Sequence, residues 1–206
     1  VNNKTKIFIL HHTPAAERKN TLSADIDAVS LSYSIEWVEA FLPDEIKCIS
    51  ASIKCSELSL SLKHQYALQQ IIQNEIQYGI IFEDDVDLQS VPKIQEFLEQ
   101  SINELEAKKG DILWIGDVWT GKYAIPAEKK VAGEISYFST ESYSRCTHAY
   151  IISQHGAKLV LDDFHFNRPV DHLYNEIIEK RALVSGWTEP GLIQKTAEGI
   201  WSSLIS

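Results

Sequence analysis

Two hydrophobic periods alternate along this chain. Short apolar runs read as strands: Lys6-Ile-Phe-Ile-Leu10, Ile35-Glu-Trp-Val38, Gly79-Ile-Ile-Phe82, Asp111-Ile-Leu-Trp-Ile115 and His148 to Ser153, with fragments at Lys47-Cys-Ile49 and Leu183 to Gly186. Between them, apolar residues recur every three or four positions. Leu22, Ile26 and Val29 predict a helix over about 14–29, with Thr13 as its N-cap and Pro14 at its first position. Leu60, His64, Leu68, Ile71 and Ile72 predict a second over about 57–77. Ile94, Phe97, Leu98, Ile102 and Leu105 mark a third, capped by Ser90, and two more are expected over about 154–162 and 171–181. The segment 116–146, punctuated by Gly116, Gly121, Pro126 and Gly133, reads as a long functional loop or lid. Strands alternating with amphipathic helices predict an α/β fold, a mixed, mostly parallel sheet flanked by helices.

Composition narrows this further. The chain has 206 residues, 44% apolar and 10% aromatic, with only 9 Gly and 6 Pro, which suits one compact soluble domain with a real core. Lys and Arg number 19 against 29 Asp and Glu, a formal charge of −10, which argues against nucleic acid as a partner. No apolar run reaches the roughly 20 residues of a membrane helix, so membrane contact is expected to be peripheral at most. Cys48, Cys55 and Cys146 form neither a disulfide framework nor a zinc motif and read as buried thiols in a reducing, cytoplasmic compartment. There is no Met, even at position 1, so a removed leader or a C-terminal extension is compatible with this chain.

The densest chemistry lies where the strand at 79–82 stops, in Glu83-Asp84-Asp85-Val86-Asp87. Extended backbone would put Glu83, Asp85 and Asp87 on one face. Like charges about 4 Å apart repel by ~1 kcal/mol in water and ~4 kcal/mol at an intermediate dielectric, and a hard cation such as Mg²⁺ or Mn²⁺ would relieve them. Open α/β sheets bind ligands beyond the carboxyl ends of their strands, where a cation can bridge carboxylates to a diphosphate. A solvated acidic turn ahead of a helix explains the cluster equally well.

Wider motifs extend this reading. Glu57-Leu-Ser-Leu-Ser-Leu-Lys-His64, a helix, and then Gly79-Ile-Ile-Phe-Glu-Asp-Asp-Val86 resemble glycosyltransferase family 25, whose pattern is Gly-Glu-Ile-Gly-Cys-x-x-Ser-His, a helix and Leu-Glu-Asp-Asp-Val. Glu57 and His64 match. Ser56, Ser59 and Leu60 replace the family's two glycines and its cysteine, and Lys63 replaces its serine. Thr147 to Ser153 with Gly156-Ala157, Pro169-Val-Asp171 and Glu189-Pro-Gly-Leu-Ile-Gln194 resemble later family segments, while His11 and His12 stand where the first motif has Asn-Leu, ahead of Glu17-Arg18.

The resemblance implies a single domain over 1–206 with a GT-A-type nucleotide-diphospho-sugar transferase fold. Residues 1–115 would form the donor half and 116–206 the acceptor half. It implies a UDP-sugar donor, a Mn²⁺ or Mg²⁺ ion, inversion at the anomeric carbon, and an oligosaccharide or lipid-linked saccharide acceptor of the lipopolysaccharide type. Such an acceptor would place the protein in the cytoplasm, at the inner face of a bacterial inner membrane. Galactose or glucose would be the transferred hexose.

On this reading Asp85 and Asp87 are the metal ligands, and Glu83 and Asp84 contact ribose or other parts of the donor. Arg18, His148, His64 and Glu57 are further binding candidates, each with a plainer alternative: a surface arginine, a strand histidine, a core histidine and a helix cap. Asp171 is the first candidate for the base that deprotonates the acceptor hydroxyl, against an N-cap role, and Asp117 is the second. Trp119, Tyr123, Tyr137, Phe138 and Tyr143 offer aromatic faces for a sugar, or anchors for their own loop. A member without catalysis, binding carbohydrate or protein, is the alternative to a working enzyme, and a metal-dependent phosphohydrolase is a third reading.

Overall fold

A computed structural model describes residues 4–47, 53–116, 131–139 and 147–196. In chain order the elements are β1 (Thr5–Leu10), α1 (Ala16–Val29), β2 (Ser34–Val38), α2 (Cys55–Gln73), β3 (Tyr78–Glu83), β4 (Val86–Asp87), α3 (Ile94–Ala107) and β5 (Ile112–Gly116). They continue with β6 (Val131–Ala132), β7 (Ser136–Ser139), β8 (Ala149–Ser153), α4 (Gln154–Asp162), α5 (Val170–Arg181) and β9 (Ser185–Gln194).

The strands form one mixed sheet in the order β2-β1-β3-β8-β5-β9-β7-β6, with β4 paired to β9. β1 runs parallel to β2 and β3, and β5 parallel to β9. β8 enters antiparallel between β3 and β5, and β7 is antiparallel to β9. Most strands therefore share one direction, and their carboxyl ends line up along one edge.

Alternation along β1 divides the core. Phe8 and Leu10 pack with Leu68, Ile71, Ile81, Tyr150 and Tyr174 under α2, α4 and α5. Ile7 and Ile9 pack with Leu22, Ile80, Phe82, Phe97 and Leu113 under α1 and α3. Strands covered on both faces can carry continuous apolar runs, which is why Gly79-Ile-Ile-Phe82 shows no polar alternation. Gly79 has a packing reason as well, since a Cβ there would sit 2.2 Å from Ile71 Cδ1.

Several local expectations change. α1 starts after Ala15 and has no side-chain cap, because Thr13 Oγ1 donates instead to the Glu39 carbonyl at 3.3 Å. Ser90 does not cap α3. Its hydroxyl donates to the Asp87 carbonyl at 2.6 Å and accepts from Ile193 N at 3.0 Å, stitching β4 to β9. The long loop at 116–146 contains the β6–β7 hairpin, where Glu104 of α3 accepts from the Glu134 and Ile135 amides, each at 3.0 Å. Phe138 is buried in the core and Tyr137 stacks on Trp187, so both anchor the sheet; Trp119, Tyr123 and Tyr143 lie outside the described residues. The terminal strand runs to Gln194 and so returns to the acidic cluster. Cys55 is disulfide-bonded, which corrects the expected free thiol; Cys48 and Cys146 lie outside the described residues.

Candidate active site

At the carboxyl end of β1 and β3 the sheet edge opens into a cavity. Glu83, Asp84 and Asp85 face it from β3 and the following turn, Leu10 and His12 from the end of β1, and Arg18 from α1. Ser56, Ser59, Leu60 and Lys63 face it from α2, and Gln194 and Thr196 from the end of β9. The positions 56, 59, 60 and 63 recur at helical spacing, so one stripe of α2 forms a wall. β3 stops at Glu83 and the chain turns at residues 84–85 before β4. That turn breaks the strand alternation: Glu83, Asp84 and Asp85 share the cavity, while Asp87 does not line it. Asp87 instead accepts from Gln89 N at 3.1 Å and stands 3.9 Å from Lys195 Nζ.

The three carboxylates have different surroundings. Asp84 is 5% exposed and tightly held. His11 Nδ1 lies 2.8 Å from it, His12 N donates at 3.0 Å and Arg18 Nη1 donates at 3.0 Å. Burial opposes its ionisation, yet these hydrogen bonds and the Arg18 charge hold its carboxyl below the usual range. Asp84 is thus a structural anchor for the β1 end and α1. Arg18, read from sequence as a surface side chain or a phosphate contact, is buried against it and also reaches Thr196 Oγ1 at 3.4 Å.

Glu83 accepts from Thr147 Oγ1 at 2.8 Å and faces His64 Nε2 at 3.6 Å. Behind it His64 Nδ1 meets the Tyr150 hydroxyl at 2.9 Å, which meets the Tyr174 hydroxyl at 2.7 Å. Burial pushes Glu83 up, but the hydrogen bond and charge of His64, with Thr147 and His148, outweigh it and bring its carboxyl below the ordinary value. His64 is fully buried and does not line the cavity; it positions Glu83.

Asp85 is the least committed of the three. It is 4% exposed; Gln194 Nε2 donates to it at 3.2 Å, the Thr196 side chain hydrogen-bonds to it, and Arg18 Nη1 stands at 3.9 Å. Burial, then the negative charge of Glu83, push its carboxyl above the usual range, only partly offset by Thr196 and His148. The Lys195 amide donates to the Asp85 carbonyl at 2.8 Å, and Lys195 Nζ pairs with Asp25 at 2.9 Å, which fastens the β9 end beside this group.

The remaining candidates separate. His148 is buried with Nε2 3.0 Å from the Leu192 carbonyl, tying β8 to β9 and standing behind the cavity. Its ring also occupies the space a Cβ would need at Gly116, 2.3 Å away. Glu57 accepts from Lys54 N at 2.9 Å and so caps α2, without lining the cavity. Asp171 sits in the first turn of α5, half-buried, and accepts from His172 N at 2.8 Å; it does not line the cavity. Asp117 lies outside the described residues.

Sequence reasoning missed Lys63, which is 3% exposed on the cavity wall, and His11 as the partner of Asp84. The signal for Lys63 was present: a lysine at i+4 from Ser59, inside an otherwise uncharged helical stripe.

The arrangement leaves little of the donor set that Mn²⁺ or Mg²⁺ requires. Among the described residues no group of three or more His, Cys, Asp or Glu is placed to hold a cation. Asp84 is occupied by three donors and Glu83 by Thr147 and His64, and Asp85 meets Gln194 and Thr196 with Arg18 at 3.9 Å. These residues do not form a preformed divalent-metal site.

Comparison with known proteins places the chain. A family model described as glycosyltransferase family 25 (LPS biosynthesis protein) matches residues 4–174. A cattle protein, "Probable inactive glycosyltransferase 25 family member 3" of Bos taurus, is 29% identical over 119 residues, 56% of this chain; the chain spans about a fifth of that relative, 19% of its length. Among solved structures, a glycosyltransferase involved in glycosylation of the major capsid of PBCV-1 overlaps with a TM-score of 0.42 at 13% identity, covering 77% of this chain and 65% of that one. A197 from STIV overlaps at 0.45 and 8% identity, covering 89% and 81%. Overlaps this loose add no argument to the family match. Among the described residues no helix is long and apolar enough to cross a membrane.

Proposed function

Since the chain belongs to glycosyltransferase family 25, we propose that it transfers a hexose, galactose or glucose, from a UDP-sugar to a saccharide acceptor, with the nucleotide diphosphate seated in the cavity at the β3 end. The observation that carries this reading is Asp85. A buried carboxylate with its pKa raised, held by the Gln194 amide and the Thr196 hydroxyl and lining a cavity, is a group prepared to meet a ligand. It sits where ligands meet open α/β sheets. Asp84, Arg18 and His11 hold the turn that presents it, and the Glu83–His64–Tyr150–Tyr174 series holds the strand end.

In an inverting transfer the acceptor oxygen attacks the anomeric carbon as the bond to UDP breaks, and the acceptor proton passes to a base. Positioning and electrostatic stabilisation of the departing diphosphate supply most of the rate. Asp171 stays the candidate base on the acceptor side, at the start of α5. A lipid-linked or oligosaccharide acceptor of the lipopolysaccharide type follows from the family description. Localisation follows the cysteine chemistry: a disulfide at Cys55 favours an oxidising compartment over the cytoplasm.

The test is a thermal-shift and turnover panel with UDP-galactose, UDP-glucose, UDP-N-acetylglucosamine and UDP. A ligand at 100 times its Kd adds about 2.7 kcal/mol of stability. Stabilisation by one UDP-hexose, lost in Asp85→Asn, is the expected outcome. No stabilisation by any of them overturns the donor assignment and favours a non-catalytic carbohydrate- or protein-binding member, the reading consistent with the name of the cattle relative.

A further inference from the structure

Lys63 is the one cavity group whose burial nothing else in the described structure explains. It stands 3% exposed on α2, and its hydrogen bonding among the described residues is a single 3.5 Å contact with Ser59 Oγ. Ser59 donates its own proton to the Phe41 carbonyl at 2.5 Å, so its hydroxyl can only accept from the lysine. An ammonium carries three donors; this one has a single long contact and lines the cavity. A buried charge without a paired, hydrogen-bonded partner is costly and is ordinarily relieved. Every titratable or charged group around the cavity bears on this. Asp84 attracts the ammonium but is occupied by His11, His12 N and Arg18. Arg18 adds positive charge, Asp85 meets Gln194 and Thr196, and Glu83 is turned to Thr147 and His64. Burial lowers the lysine's pKa, partly countered by Asp84, and lowers that of His12, where Lys63 is a further cause.

We propose that Lys63, with Arg18 at the opposite wall, is the built-in cation of this cavity and binds the diphosphate of the nucleotide directly, so that donor binding needs no divalent metal. The inference rests on the donor assignment above and extends it to the way the phosphates are held. It also accounts for the missing metal shell: a point charge on α2 does the neutralising that a cation would do, leaving Asp85 to the sugar or ribose rather than to a metal. The ligand class is a diphosphate ester, for which an ammonium is a standard point-charge partner.

The experiment measures UDP and inorganic pyrophosphate binding by calorimetry, in EDTA and in Mn²⁺, for the wild type, Lys63→Met and Lys63→Ser. Lys63→Met keeps side-chain volume without the charge, and its melting temperature without ligand reports its folding. In EDTA the wild type is expected to bind UDP within twofold of its affinity in Mn²⁺, and Lys63→Met at least tenfold more weakly. Lys63→Ser, a smaller uncharged replacement, is expected to bind UDP in EDTA as weakly as Lys63→Met. Wild-type binding that requires Mn²⁺ overturns the built-in cation and leaves the donor assignment standing. Lys63→Met binding equal to wild type in EDTA also overturns it. No binding of UDP under either condition overturns both.

Discussion

Two walls of one cavity follow opposite rules. On the α1 side, Arg18 is buried and paired with Asp84, and that pair joins β1, α1 and the β3 turn. On the α2 side, Lys63 is buried and scarcely engaged. The carboxylates divide in the same way, Asp84 committed and Asp85 open. Helix α2 shows why the division tracks function. Its positions that match the family pattern, Glu57 and His64, face a cap and the core network. The four that depart from it, Ser56, Ser59, Leu60 and Lys63, all face the cavity. The scaffold of the site keeps to the pattern, and its ligand-facing wall has its own chemistry.

The largest expected effect tests the committed wall. Arg18→Met leaves Asp84 buried without its guanidinium and is expected to cost about 3–5 kcal/mol in urea unfolding. The matching Lys63→Met change removes a charge that makes no ion pair among the described residues, so it is expected to leave stability unchanged or raised. Equal losses in the two variants would erase the contrast.

Next is the tether at the start of the α2 wall. Reducing the Cys55 disulfide is expected to lower stability by about 2–4 kcal/mol, read as a drop in Tm with dithiothreitol. An unchanged Tm would show that packing alone holds this wall.

The carboxylates differ in the sign of their pH dependence. Asp84 and Glu83 are held below their ordinary values, so the stability they lend is present above the unfolded pKa and lost as pH falls through the folded one. Asp85 is held above its ordinary value, so its ionisation costs stability at neutral pH, and that cost disappears on acidification. Asp85→Asn is therefore expected to be more stable than wild type at pH 7 by about 1 kcal/mol. The two unfolding curves should converge as pH falls to about 4, near the ordinary aspartate value. A destabilised Asp85→Asn would place this residue with the committed groups.

The smallest effect concerns the stitch that brings β9 to the site. Ser90→Ala removes the contacts to Asp87 and Ile193 and is expected to cost about 1 kcal/mol. With the β9 end loosened, Gln194 and Thr196 are less well placed, and UDP affinity should fall slightly. Unchanged stability and affinity would show that β4–β9 pairing holds this edge without the serine.

Much of the fold was readable from one dimension. The strands at 79–82 and 111–115 and the helix at 154–162 follow from apolar runs and helical spacing, and the helix is found at Gln154–Asp162 with Ser153 accepting from Gly156 N at 3.0 Å. Local capping was less legible. Thr13 and Ser90 carry the right side chains for caps, but Thr13 donates to the Glu39 carbonyl and Ser90 bonds Asp87 and Ile193 instead. The β6–β7 hairpin was hidden because its order comes from Glu104, a residue of another element.

The candidate site divides similarly. That carboxylates gather where β3 ends was determined by the sequence, because Glu83-Asp84-Asp85 follow at once on the apolar run 79–82. Membership of the family was determined there too, by motifs kept in order along the chain. Which carboxylate is open, and that Asp87 stands apart, was decided only by the turn at 84–85 and by partners 66 to 109 residues away in the chain. The same holds for Lys63. Its spacing marks a helix stripe, but its burial and its want of an ion pair among the described residues are set by what the neighbouring walls place around it. Periodicity is a local property of a chain, whereas the state of a buried charge is the sum of everything packed against it.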